Sequence, residues 1–142
     1  MTLVTTRAAL EKAVTDSVTG ADSSVKVFYD NTAHAVPGKN TKYVEITIDF
    51  SRTTLQGHGE SLAFHRGVVS CNVYIPRSAG SAVLSAISQS VIDGLTSVNA
   101  SNYTDTYNCT PRVEDIVGPS TIDLPDSAHY LGTISCQFTA LA

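Results

Sequence analysis

From Tyr43 to Phe50 the side chains alternate without a break: Val44, Ile46, Ile48 and Phe50 fall on one side, Tyr43, Glu45, Thr47 and Asp49 on the other. A period of two with one apolar set marks a strand whose sheet is buried on a single face. A second run follows from Phe64 to Ile75, with Val69, Cys71, Val73 and Ile75 set against Val68, Ser70, Asn72 and Tyr74. The segment between them, Ser51 to Ala63, carries little apolar material and contains Gly57-His58-Gly59. The two runs therefore predict a long antiparallel hairpin whose tip, from Arg52 to His65, is flexible and protrudes. A hairpin with one apolar face cannot stand in water alone, so the rest of the chain has to supply a covering layer.

Two segments have the right periodicity for that layer. Leu3, Arg7, Leu10, Val14 and Val18, with Ala8, Ala9 and Ala13 beside them, recur at the spacing of a helix with one buried stripe, ending at Gly20 and a polar loop. Val83, Ile87, Val91, Leu95 and Val98, widened by Leu84 and Ile92, predict a second amphipathic helix after Pro76 and the turn Arg77-Ser78-Ala79-Gly80-Ser81. Val25 to Tyr29 reads as a short strand, Thr104 to Val113 as a longer one with Asp115 to Val117 extending it beyond a bulge, and His129 to Thr139 as the last. Gly118 to Ser127, with Pro119 and Pro125, is expected to be irregular. The expected class is α+β: an antiparallel or mixed sheet with two helices packed on one face, in a single domain spanning residues 1–142.

Charge narrows the partners. Charged residues make up 15% of the chain, against about a quarter in ordinary soluble proteins, and Ser and Thr fill the space they leave. A surface so poor in charge suits neutral contacts with other subunits. The net charge of -4 and the lack of any basic run argue against gripping a nucleic-acid backbone, which requires clustered Lys and Arg. No apolar stretch approaches the roughly 20 residues needed to cross a bilayer. Arg7, Glu11 and Lys12 stand where a secretory leader needs an apolar block, so synthesis in the cytoplasm is expected. Cys71, Cys109 and Cys136 cannot all pair and have no C-x-x-C spacing, which predicts reduced, mostly buried thiols.

The chain shows little that resembles chemistry. His34, His58, His65 and His129 have no spacing that brings two to one helix face, and no metal site or cofactor is expected. There is no nucleophile elbow, and no catalytic residue is assigned. Gly57-His58-Gly59-Glu60 suits either an acid–base loop or a hairpin tip, and the tip is preferred. Pro76 to Gly80 lacks the Lys and second Gly of a phosphate loop and reads as a turn leading into a helix. The carboxylates at Glu114-Asp115 and Asp123/Asp126 lack the alternating ligands of a calcium loop and read as a solvated acidic face.

The order of the pieces is more informative than any one of them. An N-terminal helix is followed by a loop from Tyr29-Asp30-Asn31 through Pro37, then by the strand Tyr43-Val44-Glu45-Ile46. Next come Arg66-Gly67-Val68-Val69, Tyr74-Ile75-Pro76 and the helix led by Gly80. The chain closes with Gly118 and the strand from Tyr130 to Phe138. In this order and spacing, across nearly the whole chain, the sequence resembles the tail-terminator family of long-tailed bacteriophages.

The resemblance implies a structural virion protein of the tail or neck, assembled in the host cytoplasm. It would form a hexameric ring at the head-proximal end of the tail tube, end tube growth and join the tail to the head connector. Its partners would be other copies of itself, the tail tube protein and the connector or stopper protein, with DNA passing through the ring unbound and no membrane involved. A stopper, adaptor or other head-completion ring of the neck is the alternative. A small cytosolic enzyme or ligand-binding domain is the second, and would show a pocket with convergent polar groups. Under the first reading Arg52, Thr54, Leu55, Gln56, His58, Glu60, His65, Pro119, Asp123 and Asp126 are candidate contacts to tube or connector. Glu114, Asp115, Asp123 and Asp126 are then candidates to face the channel, where negative charge would let DNA slide.

Overall fold

A computed structural model describes residues 2–30, 37–38, 40–56, 62–100, 110–123 and 127–141. The elements run α1 (Thr2–Ala21), β1 (Lys26–Tyr29), β2 (Tyr43–Gln56), β3 (Leu62–Pro76), α2 (Ser81–Ser97) with a short 3₁₀ turn (Val98–Ala100), β4 (Thr110–Ile122) and β5 (His129–Leu141). The strands form one sheet in the order β1-β2-β3-β5-β4. β1 lies parallel to β2, with Lys26 opposite Tyr43 and Tyr29 opposite Ile46, and every other pairing is antiparallel. The sheet is thus mixed, and the fold is α+β as the patterning predicts.

Alternation decides which face is covered. Val44, Ile46 and Ile48 of β2, Val69, Cys71, Val73 and Ile75 of β3, and Ile134, Cys136 and Phe138 of β5 are all buried, and they share one core with Leu10, Val14 and Val18 of α1 and Ile87, Val91 and Leu95 of α2. The two helices lie side by side on that face at backbone-to-backbone distance. A Cβ placed on Gly94 of α2 would come within 2.9 Å of the Ala13 carbonyl oxygen, and the Ser17 hydroxyl donates to the Ser90 carbonyl at 2.7 Å. The buried stripe of α1 starts one turn later than predicted, because Leu3 and Val4 are exposed. Cys71 and Cys136 are free and buried, and burial pushes the Cys71 thiol up to about 12; Cys109 lies outside the described residues.

Two sequence-based expectations fail. The hairpin has far more strand than predicted: β2 and β3 stay paired from Tyr43↔Tyr74 out to Gln56↔Leu62, so most of the supposed flexible tip is regular sheet. A bulge between Phe50 and Arg52 re-phases the register on the way. Second, the segment from Gly118 to Ile122, expected to be irregular, completes β4. It can do so because β4 is an edge strand, where Pro111 and Pro119 need donate no hydrogen bond to a neighbour. Two register shifts, with Asp115 at φ 47° and Gly118 at φ 108°, absorb the irregularity.

Candidate contact surfaces

Among the described residues no helix lies over the sheet's second face. Reading across β2, β3 and β5, it presents Glu45, Asn72 and Thr133, then Thr47, Ser70 and Ser135, then Asp49, Val68 and Gln137. These are the neutral and acidic side chains that the alternation left over. Thr133 donates to the Asn72 side-chain oxygen at 3.0 Å. At one end Tyr43 and Tyr74 stack at 4.4 Å with rings 8° apart, and His129 stands edge-on to both. Burial, then the neighbouring Tyr74 and Glu45, push the Tyr43 hydroxyl up to about 12.

At the other end the bulge brings Arg52 opposite Arg66, and Thr139 links Arg66 to Arg112 in the same row. Arg66 lies over the Phe64 ring at 5.2 Å. Beside this row a groove of about 360 Å³ is lined by Phe64, Arg66, Val68, Glu114, Gln137 and Thr139. A smaller cavity of about 260 Å³ lies between the end of α1 and the start of α2, lined by Val18, Val25 and Ile87 among others, with the Lys42–Asp22 ion pair at its edge. Hydrogen bonds from Ser24 and Lys42 hold the Asp22 carboxyl well below the usual carboxylate range. Among the described residues no group of three or more His, Cys, Asp or Glu is placed to hold a metal, and no helix is long and apolar enough to cross a membrane.

The predicted contact residues separate into three groups. Arg52, Thr54 and Leu55 are exposed along β2, with Leu55 at 78% exposure; Gln56 ends the strand opposite Leu62. From Ser51 to Leu55 every residue is exposed, while the strands beside it stay buried in the same rows, at His65 opposite Thr53 and at Ala140 opposite His65. Pro119 and Asp123 are exposed at the far end of β4. His58, Glu60 and Asp126 lie outside the described residues. His65 is the correction, being only 2% exposed and no contact residue. It shares the parity of Gly67, Val69 and Cys71, so the alternation carried two steps back from Val69 would have placed it on the covered face.

The His65 ring lies 2.9 Å from the Thr53 hydroxyl through Nδ1 and edge-on to Phe50, while its Nε2 is buried with no hydrogen-bond partner among the described residues. Burial lowers its pKa, so the folded protein holds the ring neutral. The unfolded chain takes up a proton near pH 6.5 that the folded chain resists. Stability should therefore be full above about pH 6.5 and fall as the pH drops below it. Thermal melts between about pH 7.5 and 5.5 check this, and His65→Gln should flatten that part of the profile. A wild-type melting temperature constant across the window would contradict a ring held neutral.

The three described acidic candidates do not form one band. Glu114 and Asp115 are exposed at the first β4 bulge. Asp123 lies nine residues beyond Glu114, roughly 25 Å along the strand, where it accepts from Arg77 at 2.7 Å. Sequence reading missed Arg66 and Arg112, because only the bulged register brings them into line with Arg52.

No protein-family model and no curated protein matches the chain. Among solved structures 27 chains match, so the architecture recurs. One of them superposes with a TM-score of 0.71, covering 99% of this chain and 96% of that one at 22% sequence identity. The likeness runs end to end and shows the fold.

Proposed function

We propose that the protein is a ring-forming structural component of a phage neck, a tail terminator that stops growth of the tail tube and offers a surface to the head connector. The observation that carries this reading is the hairpin: five consecutive exposed residues, Ser51 to Leu55, held as strand along the edge of the sheet. An edge strand exposed on both faces buries almost no apolar surface and so adds little to stability, yet it presents backbone and side chains on a firm support, as a contact arm requires. The Ser- and Thr-rich open face and the two sheet edges supply further surface for neighbouring subunits. The order of motifs along the chain supplies the family expectation.

The hairpin can be shortened without disturbing the sheet. Because Leu55 pairs with Ala63, replacing residues 55–63 with Asn-Gly joins Thr54 to Phe64 through a two-residue turn. The variant should melt within about 1 kcal/mol of wild type, since exposed residues contribute little. It should fail to cap polymerising tail tubes, which would be seen as tubes of uncontrolled length by negative-stain electron microscopy, whereas wild type gives defined tubes with protein at one end. Tubes of normal length with the shortened variant would overturn the assignment.

A further inference from the structure

The two edges of the sheet differ in a way that suits one another. β1 covers β2 only from Tyr43 to Ile46. The Ile48 carbonyl is then taken by Arg7 Nη2 at 2.8 Å, and Arg7 itself is fixed by Asp30 at 2.7 Å. Beyond that point, from Asp49 to Gln56, the outer edge of β2 has no strand beside it among the described residues. This stretch carries Arg52 and the exposed Leu55, with Arg66 next to Arg52 on β3. Neither Arg52 nor Arg66 forms an ion pair with a described carboxylate, Asp49 in the adjacent row included.

The opposite edge, β4, carries Glu114 and Asp115, likewise outside every described ion pair, followed by Val117 at 60% exposure. Arg52, opposite Arg66, and Glu114, opposite Gln137, both stand on the uncovered face of the sheet, one on each edge. A basic position on one edge thus has an acidic position on the same face of the other edge.

We infer that the β2 edge of one copy docks on the β4 edge of the next, with Arg52 and Arg66 facing Glu114 and Asp115. The inference rests on the ring reading above and names its subunit contact. Because the two surfaces belong to opposite edges of one sheet, the contact is heterologous and propagates from copy to copy until it closes. Pro111, Pro119 and the two bulges prevent β4 from adding a continuous hydrogen-bonded ladder, so side chains carry the contact and it weakens with salt. Glu114 and Asp115 are then used between subunits rather than facing the channel.

Charge exchange tests the contact on exposed positions where folding is unaffected. Arg52→Glu and Glu114→Arg should each lower self-association at least tenfold in sedimentation velocity at low salt, because every junction then joins like charges. An equimolar mixture of the two variants should restore it, since each junction between unlike variants again joins opposite charges. The contact is overturned if the mixture associates no better than its components at about 1 mM, where even millimolar affinities populate complexes. It is equally overturned if either variant alone associates like wild type. Wild-type rings that persist in both variants would remove this contact and leave the ring; heteromers that stop at two subunits would keep the contact and remove the ring.

Discussion

Phe138→Ala is expected to cost about 3–5 kcal/mol of folding stability, the range for emptying a buried aromatic site. Phe138 is the largest fully buried side chain among the described residues and contacts the Phe50 ring edge-to-face at 5.5 Å. It sits on β5, flanked by β3 and β4. Its neighbours are strands tied into the sheet by ladders on both sides, so they cannot collapse far to fill the space. A domain of this size typically has about 5–15 kcal/mol in all, and the loss should lower the melting temperature by roughly 10 °C or more. Urea or guanidinium titration measures it directly as a shift of the midpoint at constant slope. A loss below about 1.5 kcal/mol would mean that the ring does not fill the core as described.

The second large effect comes from adding an atom. Gly67 pairs with Phe50 beside the bulge, and a Cβ there would stand 2.1 Å from the Asp49 carbonyl oxygen and 2.8 Å from two carbons of the Phe138 ring. Gly67→Ala is expected to cost about 3 kcal/mol, at the upper end of overpacking penalties, because one of the two obstacles is backbone. The double variant with Phe138→Ala separates the two clashes. Removing the ring leaves the carbonyl contact untouched, so the double variant should remain clearly less stable than Phe138→Ala alone. Equal stability of the two would place the whole clash on the ring. Contacting sites of this kind couple, so the non-additivity itself reports how closely Gly67 and Phe138 share their space.

Gly67 also shows why the bulge matters beyond stability. The register before it pairs Phe50 with Gly67; an unbroken ladder would then set Arg52 against His65. The bulge inserts one residue and sets Arg52 against Arg66 instead. The basic row follows from that single extra residue, whereas His65 is buried by the parity of β3, which the bulge on β2 leaves unchanged.

Wherever one face is buried, the sequence speaks plainly. Val44 to Phe50 and Val69 to Ile75 alternate because every second side chain meets the helices, and Ile134, Cys136 and Phe138 do the same on β5. The helices are equally plain, since Leu10, Val14 and Val18, and Ile87, Val91 and Leu95, keep the helical period against the sheet. Where burial stops, the signal stops with it. Ser51 to Leu55 is exposed on both sides, so no apolar alternation marks it as strand, and only its pairing with β3 holds it extended. Gly118 to Ile122 reads as a breaker because Pro119 rejects an interior strand; its place at the sheet edge, a fact of topology, removes the objection.

The chain by itself therefore determines its class, its helices, its core and its poverty of charge, because burial writes a period into the sequence. The tertiary structure alone decides how far the hairpin reaches, which strands are edges, and which charges meet across the sheet. Those depend on register and strand order, and hydrogen bonds between backbones leave no mark on the identity of the side chains they join.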